Sequence, residues 1–469
     1  MDCCRQSRTR NGPGKRRATA SKRKKHNFRA KTLKGTAVAD SSSGRFRPWI
    51  ALAILTSLYT AAFIDRQVLN LLVDPIKRSL SITETQFSLL QGLAFMLSFA
   101  LLSPVAGRLV DRLNRPMLLA GAALTWSLFT IACGLADSFT ALFLARVGIG
   151  AAEASVTPTA LSYLADAFDR KRLPRALSIF LLGPSLGAGL AMIFGGVLIR
   201  HASAIAASGI GFASLAPWQM VFVLVGLPGL LLALLVARIP EPPRHHAAGK
   251  AAAEGDSVGD VLRFLWQARA FFAPLAFGMT AVVLVLYAVP SWMPAVLIRG
   301  LGVDAAKVGV QYGVAALIAG TAGVLSGPLF ARLLERRGYR NAVLLVPAIS
   351  AVGLLFSCLL VAVPVYPVAL GGAALASFFF GMPQPMAATA LQLATPPRMR
   401  GLVTSFFVLI TGVIAMTMAT TSVAVITEHV LGDLRKVGLS LMIVCTTSAA
   451  IAIWLLVLAG KEYRPLEVE

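Results

Sequence analysis

The sequence predicts an all-α membrane protein in which twelve transmembrane helices form two pseudo-symmetric six-helix bundles. Three observations predict it. Of 469 residues, 57% are hydrophobic and only 14% are charged, whereas a soluble domain carries about 25% charged residues. The apolar residues come in blocks of about 20, the length that crosses a ~30 Å hydrocarbon core. The basic residues alternate between loops: with the N-terminus placed in the cytoplasm, 20 Lys/Arg beyond the N-terminal tail fall inside and 7 outside, which is the positive-inside bias.

The blocks place spans at roughly 49–72, 86–107, 117–136, 139–164, 174–199 and 216–238, then 271–295, 308–331, 341–363, 367–392, 401–427 and 437–460. The organisation that follows is a basic tail (1–48), a six-helix bundle (49–238), a cytoplasmic linker (239–270), a second bundle (271–460) and a short tail (461–469). The linker holds Pro240, Pro242, Pro243 and Gly249 among charged residues, and Val258–Trp266 is expected as a short surface helix. An even number of spans puts both termini in the cytoplasm. No eukaryotic sorting signal is identified, which points to a bacterial inner membrane.

The net charge of +23 would ordinarily suggest a nucleic-acid partner, but its distribution argues against one. Fifteen of the Lys/Arg residues lie in the first 48 positions with two acids, in a segment too polar to form a core. A solvated tail touching anionic lipid is the expected reading, with an organelle transit peptide as the alternative. Cys3, Cys4, Cys133, Cys358 and Cys445 share no spacing, so neither a disulfide framework nor a metal site is expected. The chain has no H-E-x-x-H, P-loop or nucleophile elbow, so no enzyme activity, cofactor or built-in ATP motor is expected.

An internal repeat supports two parallel halves. Gly107–Arg115 (GRLVDRLNR) joins the second and third spans, and Gly327–Arg337 (GPLFARLLERR) joins the eighth and ninth. Parallel repeats are a transporter plan, with the site between them near the midplane. The first copy resembles the loop signature of the major facilitator superfamily. Arg146–Glu153 (RVGIGAAE) resembles that family's fourth-helix motif, and Gly183–Gly189 (GPSLGAG) its Gly/Pro-rich fifth helix. Within the superfamily the chain looks Spinster-like, on Tyr59–Arg66 with Leu69 and Asn70, Val73–Lys77, Thr85–Leu90, Glu153, Ser291–Pro294 and Pro396–Gly401.

The resemblance covers about 50–462. It implies a secondary transporter working by alternating access, whose relatives are associated with sphingolipids, sphingosine phosphates and lysophospholipids. It also implies a conformational latch at Gly107, Asp111, Arg112 and Arg115, where glycine lets the second and eleventh helices approach. Asp111 would cap a helix or pair across the halves. Ala331 stands at the acid's place in the second copy, so a latch is expected in the first half alone.

Charges inside a bilayer cost several kcal/mol and persist where paired or wet. Asp65, Arg66, Arg146 and Glu153 are the four inside the spans, all in the first half. Arg146 and Glu153 are seven residues apart, ~10 Å along one helix face, too far to pair with each other. Asp65 and Arg66 point ~100° apart. Arg66 with Glu153, or Asp65 with Arg146, would satisfy two of the costs. These four are the candidates for proton coupling or substrate contact; a static salt bridge orienting helices is the structural alternative.

The second half has no mid-span charge. Its polar candidates for cavity lining are Tyr287, Ser291, Trp292 and Gln384, beside Gln311, Tyr312 and Gln392, with Phe378–Phe380 as an apolar wall. A cavity charged on one wall and apolar on the other suits an amphipathic ligand better than a sugar. The expected partners are a small-molecule substrate, protons and membrane lipid, around a monomer. A small organic anion or drug-like efflux substrate is the alternative, and a non-transporting sensor or channel the alternative of another class.

Overall fold

The computed structural model describes residues 48–463, apart from 170–171, 208–214, 244–257, 340 and 397–398, and does not place the side chains of Asp111, Pro174, 202–207 and Val258. The basic tail, the middle of the linker and residues 464–469 therefore lie outside the described residues.

Among the described residues, twelve helical spans are long and apolar enough to cross a membrane. They are span 1 (Pro48–Leu71), span 2 (Glu84–Val110), span 3 (Arg115–Gly134), span 4 (Phe139–Ala167), span 5 (Arg175–His201), span 6 (Pro217–Ala237), span 7 (Arg269–Gly300), span 8 (Ala305–Arg336), span 9 (Ala342–Val361), span 10 (Tyr366–Leu393), span 11 (Arg400–Val430) and span 12 (Leu434–Glu462). The face where span 1 begins and span 12 ends is here the terminal face, and the opposite one the distal face.

Local chemistry sets the ends. Thr83 and Gln86 make a reciprocal capping box before span 2, satisfying two N–H groups that a helix start leaves open. The Asn114 side chain caps span 3 ahead of Pro116, Ser138 caps span 4 and Asp304 caps span 8. Span 8 runs five residues past its expected end, to Arg336, because long basic side chains reach water while their stems stay against the apolar helix. The sequence pattern also missed a short helix, Val73–Leu80, between spans 1 and 2. The linker's surface helix spans Val258–Gln267.

Packing repeats every six spans. Spans 3 and 6, 1 and 5, 3 and 4, 2 and 4, and 1 and 6 pack together; so do 9 and 12, 7 and 11, 9 and 10, 8 and 10, and 7 and 12. The halves meet through spans 5 and 8 and through spans 2 and 11, pairs that the same six-span shift exchanges. Glycine permits the first crossing. A β-carbon on Gly189 would stand 2.6 Å from Leu317 Cβ, and one on Gly309 would stand 2.5 Å from the Met192 carbonyl oxygen, so backbone meets backbone as in other small-residue membrane interfaces.

These contacts lie toward the distal face. Gln91 of span 2 donates to the Ser291 carbonyl of span 7 at 3.4 Å, and Thr420 of span 11 donates to the Ser88 carbonyl at 3.2 Å. Toward the terminal face the approach is lost: β-carbons on Gly107 of span 2 and Gly401 of span 11 would meet no atom within 4 Å. The halves are closed distally and parted terminally.

Candidate functional site

Span 1 and span 4 bring the four mid-span charges together. Arg66 Nε donates to Glu153 Oε2 at 2.6 Å, and Arg66 Nη2 pairs with the same oxygen. The Glu153 side chain is 0% exposed and that of Arg66 16%. Three rings surround the guanidinium: its carbon lies 4.3 Å from the Phe95 centroid, 4.6 Å from Phe63 and 5.4 Å from Phe99. Each desolvated cation–π contact of this kind contributes about 1–2 kcal/mol. A carboxylate on one side and ring faces on the others thus replace water around a planar cation.

Asp65 points elsewhere, as adjacent helical residues must. Its Oδ2 accepts from the Thr130 hydroxyl of span 3 at 2.6 Å. Arg146 reaches the backbone rather than a carboxylate, with Nη1 3.5 Å from the Asp65 carbonyl oxygen and Nη2 3.4 Å from that of Arg66. Two acids and two bases make the cluster neutral overall. Yet Asp65 Oδ1, Glu153 Oε1 and Arg146 Nε are buried without a hydrogen-bond partner among the described residues. Buried polar atoms are rarely left so, at about 1–3 kcal/mol each.

The second-half candidates do not form one wall. Tyr287 is half-buried on span 7. Gln384 is half-buried beside the break in span 10 and donates back to the Phe380 carbonyl at 3.4 Å. Trp292 is fully buried, its Nε1 donating to the Thr420 carbonyl at 3.2 Å, and Ser291 is held against Gln91. Both therefore lie at the closed seam in this conformation. Their indole and carbonyl seal spans 7, 2 and 11 together.

The latch residues are also dispersed here. Gly107 stands open and Arg112 is exposed; the Asp111 side chain lies outside the described residues. Arg115 works within its own half and the linker. Its N–H and Nε donate to Glu241 at 2.7 and 2.6 Å, Nη1 to Asp166 at 2.6 Å, and Nη2 to the Pro242 carbonyl at 3.2 Å. Tyr163 donates to the Pro240 carbonyl at 3.0 Å. The first linker residues are thereby pinned to spans 3 and 4.

A second charged cluster escaped the scan for mid-span charges. At the distal seam Arg299 of span 7 donates from Nε to Asp74 at 2.8 Å and from Nη1 to Glu84 at 2.7 Å, while Lys77 pairs with Glu84. Thr85 donates from its N–H and hydroxyl to Glu428 of span 11 at 3.0 and 2.7 Å. Glu84 is 0% exposed and Arg299 8%. A signal was present: Lys77 and Arg299 are exceptions to the positive-inside bias.

A twelve-span, two-half helical membrane protein with seams at spans 5/8 and 2/11 is the class these observations define. Residues 55–420 match the Major Facilitator Superfamily, and the chain belongs to that family. Among curated relatives it is similar to an MFS-type efflux pump of Mycolicibacterium smegmatis, 27% identical over 296 residues, covering 62% of this chain and 65% of the relative. It is also similar to Protein spinster of Drosophila melanogaster, 25% identical over 324 residues, covering 68% of this chain and 50% of the relative. The matches thus span about half to two thirds of those relatives' length. The fold is shared with a crystal structure of a bacterial homolog to the human lysosomal transporter Spinster, in an inward-facing and unoccupied conformation, with TM-score 0.73, 24% identity and coverage of 89% of this chain and 96% of that one. The Spinster-like resemblance read from the sequence is met in the similarity to Protein spinster.

Proposed function

We propose that the protein is a proton-coupled secondary transporter that carries an organic, amphipathic molecule of lysolipid or sphingoid type by alternating access. One observation carries the reading: a neutral group of two acids and two arginines sits inside a single half, with unpartnered carboxylate oxygens on Asp65 and Glu153 and with Arg66 caged by three phenyl rings. Intramembrane charge of this kind marks substrate and proton pathways. A proton on Glu153 frees Arg66 to hold an anionic headgroup, while the ring faces keep the guanidinium solvated and offer an apolar wall to the rest of the ligand. Asp65, beside Thr130, is the second proton-binding candidate, and Arg146 steadies the span 1 backbone between them.

In this reading the two six-span halves rock about the buried cluster. Both termini face the cytoplasm of a bacterial inner membrane, so the closed distal face is the outer one and the structure is open inward. Gly107, Asp111, Arg112 and Arg115 latch the opposite state, when spans 2 and 11 meet on the terminal side. The basic tail serves no nucleic acid, and the unit is the monomer. A small organic anion or drug as the exported substrate is the second reading, favoured by the similarity to the mycobacterial efflux pump.

The test is flux in proteoliposomes under an imposed pH gradient, with lysophospholipids, sphingosine and organic anions compared between wild type and Glu153→Gln. Lipid flux that follows the gradient and fails in the variant is expected. Flux of organic anions alone would replace the lipid reading by the second one. An ohmic current, or no gradient-dependent flux of any compound, would overturn transport of this kind.

A further inference from the structure

We propose that the distal seam carries an anion-binding site, built from both halves and suited to a phosphate group. A cavity of about 460 Å³ opens there. Lys77 and Arg78 line it from the short helix Val73–Leu80, Arg299 from the end of span 7, and Arg435 from the first turn of span 12. Asp74 is the one acid among the lining residues, and Ile298 and Leu434 give it an apolar edge.

Three features argue that these cations gather for a ligand. The first is position. Outer loops are depleted of Lys/Arg, yet four of the seven basic residues expected on that side converge on this one cavity. The second is imbalance. Asp74 and Glu84 occupy Arg299 and Lys77, while Arg78 and Arg435 are exposed and form no ion pair among the described residues. The third is Arg299 itself: its side chain is 8% exposed and makes two charged bonds, but its buried Nη2 has no hydrogen-bond partner among the described residues. Guanidinium forks match the oxygens of a phosphate in a way that ammonium groups do not.

The apolar edge fits a group held at a bilayer surface, and the shared chemistry is that of a phosphate with net negative charge, as an anionic lipid headgroup or the free ion, which zwitterionic phosphatidylcholine does not offer. Such an anion touches Arg78 of one half and Arg435 of the other, so it binds when the distal face is closed. By linkage it then favours the closed state. That consequence rests on the alternating-access reading; binding itself does not.

The full-length protein in nanodiscs tests the site. Wild type is expected to melt about 3 °C higher in phosphatidylglycerol discs than in phosphatidylcholine discs, and the double variant Arg78→Gln/Arg435→Gln to lose that shift. If the source is the free ion, millimolar inorganic phosphate in phosphatidylcholine discs raises the wild-type midpoint relative to sodium chloride of matched ionic strength, and leaves the variant unmoved. Both residues are exposed, so the variant is expected to fold, and each single substitution is expected to lose part of the shift. Wild type and variant responding alike to both anions would overturn the site. The double variant is expected to retain gradient-driven flux, so loss of the site and loss of the transport reading are separately visible.

Discussion

Glu153 and Glu84 are both 0% exposed, but the charges around them are wired differently. Asp65, Arg66, Arg146 and Glu153 belong to spans 1 and 4 of one half. They can stay together as a rigid group while that half rotates, and can change their protonation without changing their neighbours. Asp74, Lys77 and Glu84 meet Arg299 across the two halves. In the proposed alternating-access cycle, that cluster breaks each time the distal face opens. Breaking a buried pair by removing one partner costs about 3–5 kcal/mol, and separation into water costs less because each ion is rehydrated. The first arrangement suits a coupling site, the second a gate.

Substitutions sharpen this contrast. The largest effect is expected from Glu153→Gln, which leaves Arg66 in its ring cage but removes the exchangeable proton: gradient-driven flux falls about 100-fold. Flux unchanged across a full pH series in both Glu153→Gln and Asp65→Asn would remove the coupling role. Next comes Glu84→Gln, expected to shift the balance toward the distal-open state by about 2 kcal/mol, since Arg299 and Lys77 are rehydrated there. Labelling of Thr421→Cys from the distal side, on a cysteine-free background, reads that shift, because the Thr421 hydroxyl accepts from Ser88 across the closed seam at 3.4 Å; an unchanged rate would mean that the ion pairs are not the gate. Arg66→Lys keeps the charge but not the planar fork between rings, and is expected to weaken substrate binding about tenfold, measurable by flux at varied substrate concentration. The smallest effect is Trp292→Phe. Loss of the bond to the Thr420 carbonyl costs about 1 kcal/mol, seen as a lower melting midpoint with normal substrate affinity; a large change in affinity would return Trp292 to the cavity wall.

How much could be read beforehand differed by type of residue. The spans were legible because a bilayer imposes its thickness on apolar blocks, and errors fell at charged ends such as Leu333–Arg336, where helix continues past the hydrocarbon. The pairing of Arg66 with Glu153 was legible too, since few charges inside a membrane leave few partners. Arg146 was not: it meets the carbonyl oxygens of Asp65 and Arg66, and every residue carries a carbonyl. The same holds for Thr130 on Asp65 and for Phe63, Phe95 and Phe99 around Arg66, because a phenylalanine in an apolar helix looks alike whether it faces lipid or a cation. Glu84 and Asp74 stood at span borders, where acids are ordinary, and only three-dimensional proximity to Arg299 sets them apart.

The Arg115 clamp fixes the mechanics of the chain that joins the halves. Residues 239–243 travel with the first half through Glu241, Pro240 and Pro242, and from Val258 the chain is helical and leads into span 7. With the start of the linker anchored to one half, the contacts that hold the two halves in register are the helix seams at spans 5/8 and 2/11, where backbone meets backbone at Gly189 and Gly309.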